Sequence, residues 1–151
     1  PVGVSIFNNT TEKRDCMPIS NAPTHVDFDA AAATELARKR SDDRVIVAAE
    51  YTVEEFQVLY ASDRVLEEYD DTDGLDDVGD RLHSYMHVDF TERELFEELY
   101  PPAEETRGFV TYTDYTTVVR VLDGAEGLYL SFEPGVAVTP IVDEVADIIT
   151  Q

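Results

Sequence analysis

His83 and His87 come nearest, by type and spacing, to a reactive centre. Four apart in a segment that reads as helix, they share one face, a spacing that can hold a metal ion. Asp80, three residues before His83, offers a third ligand, and a weak metal-dependent enzyme is the chemistry such a trio would support. No glutamate follows His83 directly, so the zinc-protease pattern is absent. The plainer reading makes both imidazoles surface groups beside a packing face of Leu82 and Met86. That reading is adopted, with no metal, no cofactor and no catalytic residue expected.

Other reactive arrangements fail on their spacing. An EF-hand loop with Gly74 at its sixth position would begin at Tyr69, which has no carboxylate, and end at Asp80, shorter than the usual Glu. Cys16 is the single cysteine, so no intrachain disulfide can form, as in a reducing cytosol. Lys13 and Arg14 would lower its pKa and Asp15 opposes them, so it reads as idle. Neither a nucleophile elbow nor a Gly-rich phosphate loop can be found.

The chain of 151 residues carries 33 acidic residues against 11 basic ones, a formal charge of −22. Gripping nucleic acid by its phosphates needs clustered Lys and Arg, so that class is excluded, as is adsorption to an anionic membrane. No apolar run approaches the ~20 residues that span a bilayer. At 43% hydrophobic the chain is too apolar for wholesale disorder. Acids concentrated on one face would mark a nucleic-acid mimic. Here they recur from Asp27 and Asp29 through Glu54 and Glu55 to Asp143 and Asp147, Lys is confined to Lys13 and Lys39, and Val outnumbers Ile. That distribution fits molar salt, where a Debye length of ~3 Å nearly removes repulsion between surface carboxylates. The expected setting is the cytoplasm of a high-salt cell.

The elements follow from capping and periodicity. Residues 1–28 read as an extended arm, with Val2, Val4 and Ile6 alternating as in a strand and Phe7 beside them. A single domain is expected over 29–151. Asp29 caps a helix over about 30–40. Val45–Ala49 and Phe56–Tyr60 form a hairpin around a turn at Thr52–Glu55. A short helix is expected over 65–69 and a second over about 77–87. Thr91 and Glu94 form a capping box ahead of Leu95, Phe96, Leu99 and Tyr100, and Pro101-Pro102 stops that helix. Residues 108–122 are dense in β-branched and aromatic residues, with Asp114 as a bend or bulge. A loop over Asp123–Gly127 leads to a returning strand, Leu128–Phe132. Thr139 caps a last helix with Pro140 in its first turn and a stripe of Ile141, Val142, Val145, Ile148 and Ile149. The fold class is α+β: an antiparallel sheet of about four to five strands, with the first and last helices on one face and a helical middle segment.

Val45-Ile46-Val47, Phe56–Ala61, Asp63-Arg64-Val65, Asp114–Val121 and Gly127–Phe132 carry a resemblance. Over residues 36–148 the chain resembles a family of small acidic haloarchaeal proteins of unknown function. In topology it is also similar to roadblock or longin-type modules, which serve as small-GTPase-associated scaffolds and dimerising adaptors. That likeness implies a fold and argues only weakly for a function.

The function expected is a non-catalytic protein-interaction module: an adaptor, regulator or assembly subunit that binds protein partners or itself. Candidate contacts are Val2, Val4, Ile6 and Phe7 in the arm and Tyr112 and Tyr115 in the Tyr/Thr strand. A structural protein of a halophilic virus or particle, a small-ligand sensor and the weak metal enzyme are the alternatives.

Overall fold

Asp29 opens the first helix, its Oδ1 accepting from the Ala32 N–H at 3.0 Å. Helix α1 (Ala30–Arg40) ends on Arg38, Lys39 and Arg40, cations that suit the partial negative charge of a helix C-terminus. Asp42 and Asp43 leave it at φ 55° and 61°. Short polar side chains tolerate that left-handed region best after glycine. The computed structural model describes residues 19–63, 65 and 72–151. Val2, Val4, Ile6, Phe7, Cys16 and all but Val65 of the helix expected over 65–69 lie outside them.

The strands are β1 (Ile19–Ser20), β2 (Val45–Thr52), β3 (Phe56–Ala61), β4 (Gly108–Tyr112), β5 (Thr117–Asp123) and β6 (Glu126–Phe132). They form one antiparallel sheet in the order β1-β3-β2-β6-β5-β4. The β2–β3 turn is held by Thr52, whose Oγ1 accepts from the Glu54 and Glu55 amides at 3.2 and 3.0 Å. The β5–β6 turn places Gly124 at φ 60°, the positive value that a type II′ hairpin needs at its first central position.

Helices α2 (Thr72–Met86) and α3 (Asp89–Leu99) fill the middle of the chain, and α4 (Thr139–Ile149) closes it. One sheet face packs on α1 and α4. Ala30, Ala33 and Ala37 give α1 a small-residue stripe that lets it lie close to the strands. Ile141, Val145 and Ile149 do the same from α4 against Leu128, Leu130 and Phe132. Burying each such large aliphatic side chain contributes about 1.5–3 kcal/mol. The opposite face holds Ala49, Tyr51, Leu122 and Tyr129 beneath Met86 and Phe90. Central strand β2 is therefore covered on both sides, which is why Val45–Ala49 reads as a continuous apolar run.

Three local expectations change. Helix α3 begins at Asp89, so Thr91 and Glu94 lie inside it and form no capping box. The last helix has Val138 at its N-cap position, one residue ahead of Thr139. The 108–122 run bends back completely at 113–116. There Thr113 Oγ1 accepts from the Tyr115 and Thr116 amides at 3.1 and 2.9 Å, making a hairpin of two strands.

Candidate protein-interaction surface

His83 and His87 point to separate tasks. His83 Nε2 lies 2.9 Å from the Thr52 carbonyl oxygen, which can only accept, so that nitrogen carries the proton and ties α2 to the β2–β3 turn. Its ring also stacks near Phe56, 5.8 Å between centroids. His87 is exposed, with Nδ1 3.3 Å from the His83 carbonyl. Asp80 is exposed on the rim of a hollow with Asn21, His25, Phe56 and Gln57. Among the described residues no three His, Cys, Asp or Glu side chains converge as a metal site.

Two buried polar constellations escape the sequence. Glu50 is fully buried at the end of β2's apolar run. Its carboxylate accepts from the backbone amides of Thr24, His25 and Val26 at 2.8, 3.0 and 3.2 Å, and from Gln57 Nε2 at 3.0 Å. On the other face Tyr51 donates its hydroxyl to Asp89 Oδ2 at 2.8 Å, and Arg120 Nε stands 3.3 Å from the same oxygen. Burial pushes the Asp89 carboxyl above its ordinary pKa, while the Arg120 charge and the Tyr51 hydroxyl pull it down. Asp89 is 1% exposed, so this trio anchors the first residue of α3 to the sheet and does not face solvent.

What faces solvent on α3 includes large apolar side chains among Glu92, Glu94 and Glu98. Leu95, Phe96 and Leu99 on α3 and Tyr100 at its C-cap are 54, 41, 68 and 61% exposed, and Val88 and Tyr85 ahead of the helix are exposed too. Only Asp89 and Phe90 of α3 are buried. Phe96 meets Phe109 of β4 with ring centroids 5.9 Å apart, which sets α3 over the sheet's edge. Between them lies an open groove of about 310 Å³, lined by Phe96, Tyr100, Ala103, Thr106, Gly108 and Phe109.

Strand β4 is that edge. The Leu122 amide donates to the Arg107 carbonyl and the Thr113 amide to the Thr116 carbonyl, at 2.8 and 2.9 Å. Hydrogen-bonded pairs alternate along an antiparallel ladder, so residues 107, 109, 111 and 113 bond inward to β5. The N–H and C=O groups of Gly108, Val110 and Tyr112 then point outward along the edge. Tyr112, named from the sequence, is 69% exposed on this edge, and Tyr115, 51% exposed, sits in the adjoining turn. The α3 stripe was legible as an amphipathic run, but its sequence could not say which way the apolar side turns.

No family model matches the chain, and no curated protein matches it. Among solved structures it is similar to Myxococcus xanthus MglB, with a TM-score of 0.52 and 12% sequence identity over 85% of this chain and 92% of that one. The chain therefore has a roadblock/longin-type fold, as its order of elements implied. At this identity the likeness speaks for the fold alone.

Proposed function

We propose that this chain is a non-catalytic protein-interaction module, an adaptor, regulator or assembly subunit, that associates through the α3 face and the β4 edge. One observation carries the reading. A protein of charge −22 leaves Leu95, Phe96, Leu99 and Tyr100 exposed beside a strand edge that is unpaired among the described residues and free of charged residues. Apolar patches of this kind on an otherwise solvated surface mark association sites. The roadblock/longin-type fold is in keeping with that role.

The setting proposed is the cytoplasm of a haloarchaeal cell, and membership of the small acidic haloarchaeal family belongs to the same proposal. Spread acids and scarce Lys support it. Val2, Val4, Ile6 and Phe7 are proposed as a second contact that reaches a neighbour.

Leu95→Asp/Leu99→Asp tests the function, since both side chains are more than half exposed and the fold does not rest on them. In molar KCl the variant should keep its circular dichroism and lose the native complexes, whether with itself or with another protein, seen by light scattering and high-salt co-purification. Unchanged mass and unchanged companions would remove the reading.

A further inference from the structure

The hollow rimmed by Asp80 lies beside β3, toward the opposite border of the sheet from β4. Its volume is about 440 Å³, within the size range of small-molecule sites. The segment entering α1 supplies Asn21 and His25, β3 supplies Phe56, Gln57 and Val58, and α2 supplies Gly79 and Asp80.

The amides in its wall are oriented by partners that can only accept. Gln57 Nε2 donates to the Ala22 carbonyl at 2.8 Å and to the buried Glu50 carboxylate at 3.0 Å, which uses both of its hydrogens. Asn21 Nδ2 donates to the Val58 carbonyl at 2.9 Å. Each amide is therefore left with its oxygen. Gln57 Oε1 has only the Thr24 hydroxyl at 3.4 Å, and among the described residues nothing donates to Asn21 Oδ1 or to the Asp80 carboxylate. His25 Nδ1 stands 3.2 Å from Glu55 Oε2, so that nitrogen carries a proton and the neutral ring keeps a lone pair on Nε2. The donors are spent inside the protein and the acceptors remain.

Charge points the same way. Among the described residues no Lys or Arg lines the hollow, and the Glu50 and Glu55 carboxylates stand behind Gln57 and His25. Phe56 and Val58 add an apolar wall. The Phe56 ring is braced by His83, 5.8 Å between centroids, and by Gly79, where a Cβ would stand 3.3 Å from Cε1.

We propose that this hollow binds an organic ammonium, a primary amine on a short aliphatic stem. The ammonium donates to acceptors among Asp80, Asn21 Oδ1 and Gln57 Oε1, and the stem lies against Phe56 and Val58. A carboxylate or phosphate meets repulsion there and few donors. A hydrated potassium ion competes for the charge and gains nothing from the apolar wall. This site goes beyond association through the α3 face and uses none of its residues.

Titration of the isotope-labelled full chain with butylamine in molar KCl, followed by its amide NMR spectrum, reads the site. Saturable shifts are expected at Asn21, His25, Gln57, Val58, Gly79 and Asp80. Butyrate, with the opposite charge, should bind at least about tenfold more weakly. Methylamine should do the same, since each buried methylene is worth about fourfold. Asp80 is exposed, so Asp80→Asn keeps the fold, and it should weaken butylamine about tenfold through loss of one charged hydrogen bond. Asp143→Asn, an equal change of charge on α4, should leave the affinity unchanged. Nα-acetyl-lysine methylamide carries the same ammonium as a side chain. Its binding more tightly than butylamine assigns the guest to a lysine of another protein, and more weakly to a free amine. Absence of saturable shifts with butylamine, equal binding of butyrate, or an Asp80→Asn titration that matches the parent overturns the proposal.

Discussion

The Tyr51 hydroxyl on β2 donates to Asp89 Oδ2 at the first residue of α3, 2.8 Å away and out of contact with water. This bond, with Arg120 at 3.3 Å from the same oxygen, fixes the helix that carries the exposed apolar stripe. Arg120 also lies over the Phe109 ring, 5.5 Å from its centroid, so the network reaches the edge strand. Asp89→Ala would leave the Arg120 charge unpaired in a mostly buried site. Stability should fall by about 3–5 kcal/mol, the range for breaking one side of a buried pair. Tyr51→Phe should cost about 1.5–3 kcal/mol, as for a single lost hydrogen bond to a charged group. Denaturant unfolding at fixed KCl measures both, and equal small effects would refute the network.

The same carboxyl gives a pH signature. Its folded pKa is raised, so between the ordinary Asp value and the raised one the native state binds more protons than the unfolded chain. The contribution is stabilising below the ordinary value and is lost as pH rises through the folded value. Asp89→Asn removes this titration. The difference in unfolding free energy between parent and variant should therefore change across that window, and a constant difference would exclude the assignment.

Glu50 holds the chain entering α1 by the amides of residues 24–26. Glu50→Ala leaves those donors without their acceptor, at about 1–3 kcal/mol for each one kept from water. Amide exchange at Thr24, His25 and Val26 should accelerate well before global unfolding, with Glu50→Gln intermediate. Protection that persists at these amides in Glu50→Ala would show that another group holds them.

Gly127 lies under the Tyr51 ring, where a Cβ would stand 2.5 Å from Cζ. Gly127→Ala should cost about 1–3 kcal/mol by overpacking. In a Tyr51→Ala background the added methyl has space, and the penalty should largely vanish. A double-mutant cycle measures that coupling, and additive effects would contradict the contact.

Salt should act on the whole molecule. Raising KCl from ~0.1 M to ~1 M shortens the Debye length from ~10 Å to ~3 Å, and the unfolding midpoint should climb with it. Full stability in dilute buffer, measured by thermal unfolding, would contradict the proposed high-salt setting.

Local signals fixed much of the architecture before any contact was seen. Asp29 caps its helix because capping needs only a side chain and the amide three residues on. The Ile141, Val145 and Ile149 stripe points to the core because no other face of that helix is apolar enough to bury. Thr91 and Glu94 misled for the converse reason. Asp89, two residues earlier, is drawn into the helix by Tyr51 and Arg120, partners distant in sequence. Glu50 was invisible in the same way. A lone Glu after Val45–Ala49 looks like the strand's exit, and only the returning segment at 24–26 makes it a buried acceptor. Tyr112 could be named from composition, whereas the direction of its backbone groups needed the register with β5.

Glu50 and Tyr51 are neighbours on β2, and their side chains serve opposite layers. Glu50 accepts from the segment that enters α1, and Tyr51 donates to the first residue of α3. A single peptide unit of the central strand is therefore the hinge point at which the two coverings of the sheet are aligned with each other, so a twist of β2 at this place would shift both layers together.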